Sequence, residues 1–189
     1  MVERKDLKDE IRQTFLEIRR SISKKELTAG SRHIMNTLVQ LQEFKKADFV
    51  HCYVSMESAG EVDTLSFINY CISQKKHVLV PKMAANGNLT HHTINSLDEL
   101  KKNKWGVSEP VGNEPADPAE IQFVAVPMVA GDFYRNRLGY GKGYYDRFLS
   151  SIDAFKVGLC FNSTLSWAQL PAESFDVKPD KIITETKVI

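Results

Sequence analysis

Long apolar runs are missing from this chain of 189 residues. A helix that crosses a membrane needs about 20 consecutive apolar residues, and no such run occurs, so no membrane partner is expected. The N-terminal stretch MVERKDLKDE is charged and lacks the apolar segment of a secretory signal. An excess of either charge is missing too: Lys plus Arg total 25, Asp plus Glu total 24, and the formal net charge is +1. That balance leaves no electrostatic footprint for nucleic acid, although a local basic site remains compatible with it. Cysteine is scarce. Cys52, Cys71 and Cys160 are odd in number, form no CxxC pair and lie in apolar runs, so buried, reduced thiols are expected, in a reducing compartment. The expected location is cytoplasmic. Internal repeats and low-complexity segments are absent.

What is present is enough for a core. The hydrophobic fraction is 42% and the aromatic fraction 10%, and the length suits a single domain over residues 1–189. Leu7, Ile11, Phe15, Ile18 and Ile22 recur at helical spacing, which predicts an amphipathic helix over 4–20. SKKE at 23–26 fits a capping box, and a second helix should run to about Leu41. DFVHCYVSM (48–56), HVLVPKM (77–83), NLTHHTI (88–94), IQFVAVPMV (121–129) and FKVGLCF (155–161) read as strands. Residues 62–76, 96–103 and 142–152 read as helices, with Asp63 or Thr64 near the start of the first. Asn86-Gly87 marks a turn, and 105–118 an irregular loop. A proline-punctuated loop over 171–185 leads to a last short strand. Strand and helix alternate from about residue 48. The expected class is α/β, a three-layer Rossmann-like domain with a mainly parallel sheet and helices on both faces.

RLGYGKGYYDRFL, residues 137–149, stands out. It follows a buried strand and opens a helix, at the carboxyl end of a sheet, where ligands bind in open α/β folds. Glycines admit close backbone approach and positive φ, and successive N–H groups make an anion site. Lys142 and Arg137 add charge, so phosphate is the natural guest. The loop is neither a Walker A sequence nor the dinucleotide fingerprint. Alternatively it is a plain turn into a helix buried through Tyr144, Tyr145 and Phe148. Asp146 is either a partner of the helix dipole or, beside phosphates, a ligand for Mg²⁺.

RNRLGYGKGYYDRFL closely resembles the signature of the 5-formyltetrahydrofolate cyclo-ligase family, and the likeness continues along the chain. KDEIR (8–12) resembles the family's Lys-x-x-x-Arg, YVSMESAGEVDT (53–64) its strand and loop with a glutamate, KKNKWGVSEP (101–110) its Trp-Gly segment, and VKPDKIIT (177–184) its C-terminal segment with an aspartate. Two positions depart from it: Gly131 stands where the family usually has Phe, and Arg135 where it usually has Gly, while Asp132 is retained. The altered entrance leaves room for a second reading, a non-catalytic nucleotide- or folate-binding module.

The resemblance implies conversion of 5-formyltetrahydrofolate to 5,10-methenyltetrahydrofolate with ATP as co-substrate and Mg²⁺; the expected state is a monomer. It implies ATP phosphates on Lys8, Arg12 and the segment Arg137, Leu138, Gly139, Tyr140, Gly141, Lys142, Gly143, Tyr144 and Tyr145, with Lys142 and Arg137 as the catalytic cations. Tyr140, Gly141, Lys142, Gly143 and Tyr144 would also face the folate, together with Val54, Glu61 and Trp105. Asp146 and Asp180 match the metal positions. Read without the resemblance, Lys8 and Arg12 are a solvated i, i+4 face, Glu61 a helix cap, Trp105 a loop anchor and Asp180 part of a turn. The basic run 101–104 is either solvated or an attraction for the folate's glutamate tail, and His91 and His92 are structural.

Overall fold

A computed structural model describes residues 4–84, 87–104, 106–112 and 114–189, with side chains from Leu7 onward. Helix α1 (Arg4–Ser21) meets α2 (Lys24–Leu38) at the expected capping box: the Glu26 N–H donates to Ser23 Oγ, and the Ser23 N–H donates to Glu26 Oε2 at 3.0 Å. The second helix stops at Leu38 rather than Leu41. A separate short helix, α3 (Gln42–Lys46), follows and turns Phe44 fully into the core.

The strands are shorter than the apolar runs that code for them. β1 covers only Phe49–Cys52, because pairing to its neighbours ends there, although Tyr53 and Val54 stay buried. Helix α4 (Leu65–Ser73) begins at Thr64, whose hydroxyl donates to the Tyr53 carbonyl at 2.7 Å instead of capping its own helix; the Asp63 carboxylate accepts from the Leu65 N–H. Strands β2 (His77–Met83) and β3 (Leu89–Ile94) follow as an antiparallel pair. The helix expected over 96–103 is a single tight turn at Leu97–Glu99. After it the chain extends as β4 (Leu100–Lys102), which pairs with β5 (Ser108–Pro110) inside the segment read as irregular. Cross-strand hydrogen bonding wins there over a helical pattern only two turns long. Asn86 and Trp105 lie outside the described residues.

β6 (Phe123–Pro127) is the central apolar strand, with Phe123 through Val126 buried, as a parallel strand covered on both faces requires. The chain then forms β7 (Ala130–Asp132) and β8 (Arg137–Leu138), a small hairpin, before α5 (Tyr144–Ser150). β9 (Phe155–Leu159), β10 (Leu165–Ser166) and β11 (Lys181–Ile183) complete the elements. The main sheet has the order β11-β9-β6-β1-β2-β3, parallel except for the edge strand β3. The mixed α/β class with a mainly parallel sheet is therefore as expected.

Ile34 and Leu38 of α2, Phe44 of α3 and Phe67 and Ile68 of α4 pack with Val50, Val78, Phe123 and Val157 of the sheet. Phe148 and Leu149 of α5 pack with Leu79, Val124 and Val126 in a separate cluster. Each such side chain, fully buried, contributes about 1.5–3 kcal/mol. A second sheet, β10-β7-β8, carries Ala130 and Leu138, against which Ile11 and Phe15 of α1 pack. That contact sets α1 beside the glycine loop. The three cysteines are free and buried; burial pushes the thiols of Cys71 and Cys160 up to about 12, so they stay protonated at neutral pH. Among the described residues no helix is long and apolar enough to cross a membrane.

Candidate functional site

A cavity of about 520 Å³ opens where the chain leaves the carboxyl ends of β1, β2 and β6, through Tyr53, Val54, Pro81, Met83 and Pro127. Its floor is the glycine loop. Leu138 anchors that loop in the small sheet's core, and the chain then turns through Gly141 (φ 83°) and Gly143 (φ 68°) into α5. Left-handed backbone of this kind disfavours a Cβ. At Gly141 a Cβ would also lie 3.1 Å from the Arg12 guanidinium. The loop is thus shaped to keep its backbone open, and α1 closes over it.

Among the described residues four cations reach the cavity: Lys8, Arg12, Arg137 and Lys142. Lys8 Nζ donates to Glu173 and Asp176, both at 2.7 Å. Burial opposes the charge on Lys8, but the bonds to Asp176 and Glu173 outweigh it and raise its pKa. Arg12 Nε donates to the Gly139 carbonyl at 2.7 Å, and its Nη1 pairs with Asp9. Arg137, with only 5% of its side chain exposed, pairs with Asp146 at 2.6 Å. Lys142 differs: it is exposed, and among the described residues its ammonium has no partner. Three cations are fixed as walls, and one is free to follow a ligand.

The opposite wall is apolar with one acidic group. Val54, Met56 and Tyr53 flank Glu61. Glu61 Oε2 accepts from the Met56 N–H at 2.8 Å, and Oε1 accepts from the Tyr140 hydroxyl at 2.6 Å. Burial raises the pKa of Glu61, with Tyr140 and the Met56 amide working against it. The Tyr140 phenol is raised as well, first by burial and then by the neighbouring carboxylate. The third side holds Leu89, Val107, Ser108 and Glu109, the last accepting from the Met83 N–H at 3.0 Å.

Lys8, Arg12, Val54, Glu61, every residue from Arg137 to Tyr145, and Asp146 therefore meet at one cavity. Asp180 does not join them. Its carboxylate accepts from the Lys156 N–H at 2.7 Å beside the start of β9, its own N–H donates to the Lys156 carbonyl, and it is not among the cavity's lining residues. Among the described residues no group of three or more His, Cys, Asp or Glu side chains is arranged to hold a metal ion. Asp146 is thus the metal-position candidate that the cavity retains. The expected role of Trp105 lies outside the described residues. Lys101 and Lys102 are exposed on β4, and His91 and His92 are buried.

Glu173, Phe175 and Asp176 also line the cavity, and sequence reasoning passed over them because a proline-punctuated loop gives no periodicity. Arg19 was also missed, although its signal exists. Lys8, Arg12, Phe15 and Arg19 are spaced i, i+4, i+7, i+11, so a third cation continues one helical stripe. The entrance to the loop explains the two departures. Asp132 is fully buried: its Oδ1 accepts from the Tyr134 and Asn136 N–H groups, and its Oδ2 accepts from Asn136 Nδ2 and the Leu170 N–H, over 2.7–2.9 Å. Its role here is to fold the entrance. A Cβ on Gly131 would lie 2.3 Å from the Met128 methyl, so Met128 fills the space that a larger residue would need. Arg135 adopts φ 61°, a conformation suited to glycine, and donates to the Asp180 carbonyl at 2.7 Å.

Comparison with known proteins agrees with this geometry. The sequence profile of the 5-formyltetrahydrofolate cyclo-ligase family matches residues 4–185. A probable 5-formyltetrahydrofolate cyclo-ligase from Schizosaccharomyces pombe is 31% identical over 172 residues, covering 82% of this chain and 84% of that protein. The solution structure of a 5,10-methenyltetrahydrofolate synthetase from Aquifex aeolicus superimposes with a TM-score of 0.84 at 33% identity, over 96% of this chain and 91% of the other. One from Mycoplasma pneumoniae shares the fold, with a TM-score of 0.77 at 21% identity, over 94% and 98%.

Proposed function

The chain belongs to the 5-formyltetrahydrofolate cyclo-ligase family and is an enzyme of that kind, and from that premise we propose how its cavity performs an ATP-dependent conversion of 5-formyltetrahydrofolate to 5,10-methenyltetrahydrofolate. The observation that carries the proposal is the meeting of the glycine loop, two α1 cations and a half-buried carboxylate at one cavity. The formyl group is amide-like and a poor electrophile. Its oxygen attacks the γ-phosphorus of ATP, ADP leaves, and the formyl carbon becomes an iminium centre bearing phosphate. Nitrogen 10 of the folate then attacks that carbon, loses its proton, and phosphate departs as the ring closes. Catalysis of this sort is chiefly positioning and charge neutralisation.

Each residue has a part in that scheme. The loop amides from Gly139 to Gly143 receive phosphate oxygens, with Lys8 and Arg12 above and Arg137 behind. Leu138, Tyr144 and Tyr145 hold the loop and frame the nucleotide. Lys142, the unpaired cation, follows the transferred phosphoryl group. Glu61 accepts paired hydrogen bonds from the aminopyrimidine edge of the pterin, Val54 supplies an apolar wall, and Tyr140 stands between the two substrates. For Trp105 the reading rests on the family resemblance alone, as a stacking partner of the folate rings worth about 0.5–1.5 kcal/mol beyond burial. Mg²⁺ fits this donor set through Asp146, whose Oδ1 is used by Arg137 and the Val177 N–H; one carboxylate suffices when phosphate oxygens and waters complete the shell. The metal supplies charge neutralisation on the phosphates. The protein works as a cytoplasmic monomer, one domain on a three-layer Rossmann-like scaffold. Incubation with 5-formyltetrahydrofolate, ATP and Mg²⁺ should generate the near-ultraviolet absorbance of the methenyl product with one ADP per turnover. Product formed equally well without ATP would overturn the scheme.

A further inference from the structure

Behind the folate wall lies a cation that the proposed chemistry does not use. Arg19 of α1 is 3% exposed. Its Nη1 donates to the Met128 carbonyl at 3.3 Å, and its Nη2 donates to the Tyr140 hydroxyl at 2.5 Å, with the guanidinium 5.4 Å from the Tyr140 ring centre. Arg19 does not line the main cavity; it shares a small hollow of about 10 Å³ with Glu61, Tyr53 and Met128.

The bonds have a direction. An arginine only donates and keeps its charge at any ordinary pH. The Tyr140 oxygen must therefore accept from Arg19, so the phenol proton goes to Glu61 Oε1. Glu61 Oε2 already accepts from the Met56 N–H. With Glu61 ionised, both of its oxygens accept and every bond in the chain is satisfied. Burial pulls Glu61 the other way. The titratable groups that face it are Arg19 from α1, Tyr140 from the glycine loop, Tyr53 from the end of β1 and Tyr145 from α5. Only Arg19 among these carries positive charge.

We propose that Arg19 is a positioning residue, acting through Tyr140 to keep Glu61 ionised and aimed into the cavity for the donor edge of an aminopyrimidine ring. The ligand in this statement rests on the function proposed above; the coupling from Arg19 to Glu61 does not. Arg19 also ties α1, which carries the phosphate cations, to the loop that carries Tyr140, so the two substrate sides share one strut.

The test uses Arg19→Met, which keeps length and removes charge, and Tyr140→Phe, which keeps the ring and cuts the relay. The Glu61 carboxyl is titrated in the unliganded protein by carbon NMR, its signal identified by loss in Glu61→Gln. Both variants should raise its pKa, and Arg19→Lys should restore most of the wild-type value. In turnover, KM for 5-formyltetrahydrofolate should rise about tenfold in both variants, and the acid limb of kcat/KM should move to higher pH. The double variant should be no worse than the weaker single one. A Glu61 titration unmoved in Arg19→Met overturns the proposal, even where Tyr140→Phe shifts it, and Arg19→Gln takes the same measurement if Arg19→Met does not fold. Wild-type protein that fails to bind the folate, with the titration still responding to Arg19, refutes the assigned ligand and leaves the coupling standing.

Discussion

Lys142→Ala separates chemistry from folding better than any other change at this site. Lys142 is exposed and lacks a partner among the described residues, so its removal breaks no contact. Surface changes of that kind alter stability by about 0.5 kcal/mol or less. At this length 1 kcal/mol corresponds to about 2–4 °C, which predicts a Tm within about 2 °C of wild type. The catalytic effect should be much larger. Loss of one preorganised donor at developing charge costs about 10²–10³ in kcat, or roughly 2.7–4 kcal/mol. Lys8→Ala offers the contrast, because Lys8 bridges Glu173 and Asp176 with 12% of its side chain exposed. That change should lower Tm and raise KM for ATP together, since two carboxylates are left facing each other. The assay is methenyl formation at saturating ATP and folate, with Tm from calorimetry on the same samples. A kcat for Lys142→Ala within threefold of wild type would remove this lysine from the mechanism. A fall in Tm of more than about 5 °C would show instead that it supports the fold.

Three further outcomes can be measured. Gly141→Ala should reduce kcat/KM for ATP about tenfold, because left-handed backbone costs an alanine about 1–2 kcal/mol and its Cβ would press on Arg12 at 3.1 Å; unchanged ATP kinetics would refute the cradle. Asp146→Asn should raise the Mg²⁺ concentration needed for half-maximal rate and destabilise the fold by up to about 3 kcal/mol, since it leaves the buried Arg137 charge without its counter-charge, whereas Asp180→Asn keeps an acceptor for the Lys156 N–H and should leave the Mg²⁺ dependence alone. Stability should also fall in acid through two buried histidines. Burial, with His91 as a lesser influence, holds His51 well below its usual pKa; burial likewise, helped by His92, brings His91 to about 4. A base whose folded pKa is depressed takes up protons preferentially when unfolded, so stability is full above pH 6.5 and is lost as pH falls from there. His91 alone accounts for about 3 kcal/mol between pH 6.5 and pH 4. His51→Phe should flatten that slope in urea titrations, and an unaltered slope would exclude His51 as its source.

The fold was legible where one physical rule dominates. The capping box at Ser23 and Glu26 is a local reciprocal hydrogen bond, and it forms as expected. The run around Phe123–Val126 is buried on both faces, so its pattern has no competitor. Boundaries were legible only where no partner strand intervenes. Residues 100–102 carry a helical pattern, yet Ser108–Pro110 lies beside them and the ladder decides. No local signal in KKNKWGVSEP announces that partner.

The cavity was legible in part for a related reason. The glycine loop was legible from its own residue types, and Lys8, Arg12 and Glu61 through the family resemblance; all line one hollow. Asp176 and Glu173 reach that hollow because the chain over 171–177 crosses in front of α5, with the Val177 N–H bound to Asp146, and no spacing rule encodes such a crossing. Arg19 was hidden by habit, since an arginine on a helix is usually read as solvated. Its place on the Lys8–Arg12–Phe15 stripe said otherwise, because that stripe is half-buried and a charge that continues it inward must find a partner inside.

The departures at Gly131 and Arg135 show the limit of reading a motif by residue identity. Both fall at the loop entrance, and both look like threats to the loop. The entrance is nevertheless shaped by Asp132, through four hydrogen bonds that neither departure touches. Met128 supplies the volume beside Gly131, since its methyl lies 2.3 Å from where a Cβ would be. Arg135 holds a left-handed backbone that glycine would take at no cost, and its bond to the Asp180 carbonyl offsets part of the roughly 1–2 kcal/mol involved. On that account Arg135→Gly, which relieves the strain and loses the bond, should leave Tm nearly unchanged, while Arg135→Ala, which keeps the strain and loses the bond, should lower it. Equal Tm values for the two variants would mean that the left-handed turn, and not the side chain at this position, is tolerated for some other reason.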